Sequence, residues 1–323
     1  MNELVNKLQY LEKETLLNLG SSKSTNTLRA YRSDFFDFER FCLKYSFKSL
    51  PSDPKIVSLY LTDLSKNSKF STLKRRLASI SAIHKIKGFH IDIKDPIIRE
   101  NLIGIKRKIG SYQKGKKPFL INDLYKVIDF IDINKVNKYL LSLRDKTILL
   151  LGFAGGFRRS ELVSLEKTDL EFVSEGLKIT LRKSKNDQYG QGLVKGIPYF
   201  KNKKYCPVIA VDDWLSSSDK LNEKRVFPYS DKTVALIVKK YLGLIGLDSN
   251  EYSAHSLRSG FATSTAALGA DERSIMTMTG HKSTEMVRRY IKDANLFSNN
   301  ALNKINTWEL KNYEKILYNF VQI

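Results

Sequence analysis

Over most of the first third of this chain, apolar side chains return every three or four positions, the spacing that lines up one face of a helix. Leu4, Leu8, Leu11, Leu16 and Leu17 make one stripe. Leu28, Tyr31, Phe35, Phe38, Phe41 and Cys42 make the next, on a helix expected from Thr27 to about Tyr45, with Ser24, Thr25 and Asn26 available to cap it. Pro51 and Pro54 break the chain and open a third helix, Ile56 to Leu64. A fourth, Thr72 to about Lys87, turns Leu73, Leu77, Ile80 and Ile83 inward, and Asp95-Pro96 starts a fifth. Residues 1–105 therefore read as a helical domain.

Residues 106–118, KRKIGSYQKGKKP, carry no such pattern and read as a basic linker. Beyond it, Asn122 or Asp123 caps a helix, and an apolar helix from Lys146 to Ala154 ends at Gly155-Gly156. Ser160 to Leu165 is amphipathic. Then the period changes to two: Leu177 to Leu181 alternates, Leu193 to Tyr199 alternates again, and the polar, glycine-containing loop between them reads as a hairpin. Short helices are expected from Cys206-Pro207 to Leu215, with Trp214 on the apolar side, and from Thr233 to Leu244. Phe297, Leu302, Ile305, Trp308 and Leu310 suggest a helical tail with one apolar side. Residues 119–323 thus form a mixed α/β second domain, and the chain is mainly α with a small β-sheet.

Composition narrows the function. The 323 residues are 42% hydrophobic and 28% charged, the balance of a soluble globular protein, but the net charge is +21. That excess calls for a polyanionic partner, and nucleic acid is the best fit. The longest apolar run, around Thr147 to Phe157, is too short to span a bilayer, and the N-terminus alternates charge with apolar residues and is no signal peptide. Two cysteines far apart, Cys42 and Cys206, fit a reducing cytoplasm, and no Cys/His cluster has zinc spacing.

The chemistry concentrates in residues 253–293. His255 and Arg258 are three apart, on one face of a helix's first turn if a helix opens there. Gly269 and Gly280 read as helix stops, and Asp271 and Ser283 as caps of the next two short helices. His281 then sits in a turn and Tyr290 on the following helix. One phenol, one permanent cation and two imidazoles can converge. Arginine is the planar donor that matches phosphate oxygens, and a phenol attacks only when a base takes its proton. The set suggests phosphoryl transfer through a tyrosine ester.

This stretch resembles the second signature box of the tyrosine recombinases, the phage integrase family: H-x-x-R, then G-H, then a tyrosine nine residues on. FRRSELVSLEKTDL resembles the first box, which implies Arg158 as a second catalytic arginine and Glu161 as its supporting carboxylate; Arg159 is the competitor that the family register sets aside. Phe157 stands where leucine is more usual. The K-x-D-Q-x-G pattern resembles the family's β-hairpin and implies Lys185 as general acid, with Lys183 its rival. NTLRAY and STLKRRLASISAIH resemble helices of the core-binding domain. The resemblance covers residues 23 to 293 and implies a clamp on DNA, a 3′-phosphotyrosine intermediate and no cofactor or metal. His255 is then the general base, and His281 hydrogen-bonds the phosphate. Expected DNA contacts are Thr25, Asn26, Lys74, Arg75, Arg76, Lys106, Arg107, Lys116 and Lys117. Expected partners are a double-stranded target site, other copies in a tetrameric synapse and DNA-bending accessory proteins; the resemblance implies a tail that docks on a neighbour, and the residues alone allow equally that it packs on its own domain. The short stretch before residue 20 favours a simple recombinase over a two-site integrase. A cytoplasmic, nucleoid-associated protein is implied.

Three other classes are weighed against this reading. A metal-dependent nuclease needs spaced carboxylates, and Asp212-Asp213 is the only tempting pair. A non-catalytic DNA-binding regulator has no use for the intact Tyr290. A type IB topoisomerase shares the catalytic set but would relax supercoils as a monomer.

Overall fold

The computed structural model describes residues 23–112, 115–134, 139–182, 192–218, 223–297 and 300–305, with Lys7, Tyr10, Leu11, Glu14 and Thr15 before them. The chain divides into two compact units, residues 1–114 and 115–323.

The described part of the first unit is built on four helices: α1 (Thr25–Lys44), α2 (Pro54–Ser65), α3 (Phe70–Ile86) and α4 (Pro96–Ile109). Their starts are set locally. The Ser24 hydroxyl accepts from the Thr27 N–H, and Asp53 and Asp95 accept from Lys55 and Ile97, each followed by a proline that needs no N–H partner. The inward stripes meet in one core containing Phe38, Val57, Leu61, Leu73, Ile80 and Ile98. His84 is buried in it. Its Nδ1 lies 2.9 Å from the Ile80 carbonyl and its Nε2 accepts from the Ser52 N–H, so the ring is a neutral strut whose pKa burial lowers. The helix α4 carries Lys106, Arg107 and Lys108 in its last turn. The segment expected as linker from 106 therefore begins inside a helix, which runs to its stop at Gly110, where φ is +73°.

The second unit begins with a strap. The Lys117 N–H donates to the Glu251 carbonyl and the Phe119 N–H to the Ser256 carbonyl. Helices α5 (Ile121–Ile133), α6 (Tyr139–Ala154) and α7 (Arg159–Ser164) lead into an antiparallel sheet of β1 (Leu170–Val173), β2 (Gly176–Leu181) and β3 (Leu193–Pro198), in that order. Helices α8 (Pro207–Ser218) and α9 (Asp231–Leu244) follow, then α10 (His255–Ala267), α11 (Glu272–Thr279) and α12 (Thr284–Ala294). The main core includes Phe119, Val127, Ile148, Leu151, Leu162, Ile179, Trp214, Phe227, Val238 and Leu257. A smaller cluster of Ala262, Ala266, Ile275, Val287 and Tyr290 fastens α11 and α12 to α10.

Two differences from the sequence reading have physical causes. Helix α5 starts at Ile121 with Leu120 at its N-cap, not Asn122 or Asp123, because tertiary partners serve its first groups: the Ile121 N–H donates to the Ser264 hydroxyl. Strand β1 escaped the alternation test because it is an edge strand with no fully buried position.

Candidate active site

Helix α10 is held hard against the entry strap. A Cβ on Gly260 would lie 1.9 Å from the Phe119 carbonyl oxygen, so only glycine permits this approach. That fixes the helix whose first turn carries His255 and Arg258. Asp271 caps α11 and Ser283 caps α12 through hydrogen bonds to Ser274 and Glu285 N–H groups. Gly280 ends α11 in the left-handed conformation, at φ +63°. His281 follows in the turn, and Tyr290 comes two helical turns into α12, 8% exposed and packed in the small core.

Arg258 is wholly buried. One guanidinium nitrogen, Nη1, donates to the Gly156 carbonyl at 2.9 Å. Its Nε and Nη2 are buried without a hydrogen-bond partner among the described residues. Burial and then the charge of Arg158 push its pKa down to about 10, which still leaves it a cation at neutral pH. A buried cation with unpaired donors is costly unless an anion completes it.

Arg158 stands at the N-cap of α7. Both of its ends meet Glu161: the backbone N–H at 2.9 Å and Nη1 at 2.5 Å. Glu161 is only 5% exposed, so its carboxylate fixes the arginine rather than serving solvent. Arg159, the competitor, points elsewhere and pairs with Asp231 at 2.9 Å with half of its side chain exposed.

His281 Nδ1 lies 2.7 Å from the Thr279 hydroxyl, which itself lies 2.6 Å from the Ile275 carbonyl. The hydroxyl gives its proton to the carbonyl, so Nδ1–H is the donor to Thr279 and Nε2 carries the ring's lone pair. The ring is 6.2 Å from that of Tyr290. Burial first, then Arg258, Arg158, His255 and Lys195, push the His281 pKa down to about 4. His255 is exposed, yet crowding by protein and the charges of Arg258 and Arg158 lower its pKa too. Burial raises the Tyr290 phenol, while Arg258 and Arg289 pull it back.

The structure thus brings together Arg158, Glu161, His255, Arg258, His281 and Tyr290. It adds Lys195, which the sequence reading did not single out. Lys195 is on β3, 2% exposed, with its ammonium 2.6 Å from the Gly155 carbonyl and 4.3 Å from the centre of the Phe157 ring. The signal was in the alternation: Leu193, Lys195 and Ile197 share one face of a strand, and a lysine on the apolar face of a strand needs a reason. Lys185 and its rival Lys183 lie outside the described residues, as do Trp308 and Leu310 of the tail.

The expected DNA contacts divide. Thr25, Asn26, Lys74, Lys106 and Arg107 are exposed. Arg75 and Arg76 are tied to Asp34, Arg75 at 2.5 Å, and Arg76 also reaches Asp37 at 2.7 Å. Lys116 donates to the Asn250 carbonyl and Lys117 pairs with Glu251.

Known proteins agree with this fold. The phage integrase family model matches residues 126–296. The integrase/recombinase xerD homolog of Selenomonas ruminantium is 40% identical over 318 residues, covering 94% of this chain and 92% of that protein. The tyrosine recombinase XerA of Pyrococcus horikoshii is 28% identical over 303 residues, covering 90% of each. In fold, the chain resembles the XerH site-specific recombinase bound to palindromic difH substrate, with a TM-score of 0.65 at 17% identity over 87% of this chain and 79% of that one. It also resembles a lambda integrase bound to a COC' core site, with a TM-score of 0.56 at 18% identity over 88% and 95%. The chain belongs to the phage integrase family, the tyrosine recombinases, enzymes that cleave and rejoin DNA at specific sites. Among the described residues no helix is long and apolar enough to cross a membrane.

Proposed function

We propose that Tyr290 attacks a scissile phosphodiester of double-stranded DNA, forming a 3′-phosphotyrosine and releasing a 5′-hydroxyl. The observation that carries this is Arg258: two nitrogens of a fully buried guanidinium lack partners among the described residues, beside a buried phenol. A phosphate satisfies them bidentately. Arg158, held by Glu161, supplies the second cation, and together the two arginines stabilise the charge that grows on the non-bridging oxygens as the tyrosine bond forms. His255 accepts the tyrosine proton; His281 takes a proton on Nε2 as the phosphate's negative charge arrives among the cations and then donates to a phosphate oxygen; Lys185 protonates the departing 5′-oxygen. The ester conserves the bond energy, so rejoining to a new strand needs no nucleotide.

The exposed Lys74, Lys106 and Arg107, with Thr25 and Asn26, support phosphate contacts by the first unit. Such contacts make affinity fall steeply with salt. Arg75 and Arg76 give weaker support, since their charge is already matched by Asp34 and Asp37. Exposure of Phe297, Leu302 and Ile305 supports a tail that finds its apolar partner on another copy; a tetrameric, nucleoid-associated assembly is what the family membership suggests.

Incubating the protein in EDTA with DNA flanking its own gene tests the reading. An SDS-resistant protein–DNA adduct is expected, absent in Tyr290→Phe, which still binds. Cleavage by the phenylalanine variant would contradict it.

A further inference from the structure

The β3 strand touches both turns that carry phosphate-facing groups. Lys195 donates to the Gly155 carbonyl, in the turn leading to Arg158. Leu193, two residues earlier on the same face, approaches Gly280, in the turn leading to His281; a Cβ there would meet its side chain at 3.4 Å. The next carbonyl along, Gly156, takes Arg258 Nη1. Adjacent carbonyls of one short turn thus receive two cations from two different elements, and that turn delivers the third, Arg158. Gly156 sits at φ +53°, so the turn has a backbone shape that needs holding.

A buried lysine is an expensive way to anchor one carbonyl, since an apolar side chain of the same length would fill the space without desolvating a charge. The charged groups acting on it are Glu161, which attracts, and Arg258 and Arg158, which repel; His281 in turn feels its charge. Burial and the arginines bring its pKa down to about 7. An arriving phosphate adds the negative charge that this cation-rich cluster lacks.

We propose that Lys195 is a positioning residue of the phosphate site: its ammonium holds the Gly155-Gly156 turn so that Arg158 and Arg258 meet the scissile phosphate in the geometry of the transition state. This rests on the reading of Tyr290 and the arginines given above. Lys195 acts through the turn, and touches neither the tyrosine nor the leaving group.

The test uses the full-length protein and its Lys195→Met variant, with Arg258→Ala and Tyr290→Phe as references. Single-turnover adduct formation on a nicked suicide duplex, DNA affinity and Tm are measured together. Lys195→Met is expected to keep its Tm, to bind DNA within about twofold, and to form adduct about 10- to 100-fold more slowly, as misplaced catalytic groups do. An adduct rate within about twofold of wild type, or a rate loss matched by a loss of Tm or of DNA affinity, overturns the proposal. If wild type forms no adduct, the tyrosine reading has failed, and Lys195 is judged on sulfate alone. Sulfate is expected to raise the Tm of wild type more than that of Arg258→Ala, and Lys195→Met should lose most of that Arg258-dependent difference. An undiminished difference, or none in wild type, refutes the positioning role.

Discussion

Each unit of this protein gathers arginines around a buried carboxylate, and the two clusters are closed to different degrees. In the first unit Asp34, 2% exposed, accepts from Arg75 and Ser79, and Arg76 spans Asp34 and Asp37, with the Tyr60 hydroxyl donating to Asp37. Two carboxylates meet three arginines, Arg40 pairing with Asp37 at 2.5 Å, and although Arg76 Nε makes no hydrogen bond among the described residues it lies 3.5 Å from Asp34, so every guanidinium here has a carboxylate beside it. In the second unit one carboxylate, Glu161, faces Arg158, Arg258 and Lys195, with two imidazoles alongside. The charges do not balance, and Arg258 has buried donors to spare. A cluster in which each guanidinium has its carboxylate locks a fold; one whose buried guanidinium has no carboxylate in contact among the described residues waits for an anion. The histidines divide the same way: His84 has both ring nitrogens occupied by backbone, whereas His281 has one nitrogen used by Thr279.

The largest consequence falls on Arg258. Arg258→Ala should lower the rate of adduct formation by about a thousandfold or more, the scale of losing a preorganised charge partner. Its Tm should not fall in proportion, because an uncompensated buried cation leaves with it. A rate near wild type, or a collapse of Tm with the rate, would make the second cluster structural like the first.

Asp34→Ala is the converse. Removing the carboxylate leaves half-exposed Arg75 to solvent, Arg76 with Asp37 alone and the Ser79 hydroxyl without one acceptor, and the first unit should lose about 2 kcal/mol, the scale of stripping a buried hydrogen-bonded partner. Urea unfolding followed in that unit measures this. Adduct formation by the folded, DNA-bound fraction should be unchanged.

A smaller effect is expected with pH. The folded His281 pKa of about 4 lies below the ordinary histidine value of 6.5, so the unfolded chain binds the extra proton first. Stability from this group is therefore full above pH 6.5 and is lost as pH falls towards 4. His281→Gln should flatten the Tm–pH curve in that window by about 1–2 kcal/mol, allowing for solvent screening. A curve of unchanged slope would remove His281 from the buried cation cluster. Smallest of all, Arg159→Ala breaks a surface pair with Asp231 and should cost no more than about 0.5 kcal/mol, with cleavage intact. A severe loss of cleavage would return Arg159 to the active site in place of Arg158.

Much of this arrangement was legible in the residues because local signals set it. Ser24, Asp271 and Ser283 cap the helices they were expected to cap, and Gly280 stops α11. Those caps are what place His281 in a turn and Tyr290 on a helix. Choosing Arg158 over Arg159 needed the family register, and the ion pairs supply the physical reason after the fact: one arginine is locked to a buried glutamate, the other to a surface aspartate. What sequence did not yield depends on tertiary partners. The start of α5 is set by Ser264, far along the chain, and the orphaned state of Arg258 shows only once its surroundings are assembled. Lys195 was hidden for another reason. In a strand a lysine reads as solvated; Leu193 and Ile197 on its face were a hint, and the burial of Ile179 and Ile197 around it establishes that face as the inner one.

The most direct measurement is the identity of the residue joined to DNA. Adduct formed on a suicide duplex can be digested with nuclease and protease and the modified peptide sequenced by mass spectrometry. The account expects a nucleotide linked through its 3′-phosphate to Tyr290, in the peptide that ends α12. A nucleotide on any other residue, or a 5′-phosphate linkage, or strand cleavage with no covalent adduct, would contradict it.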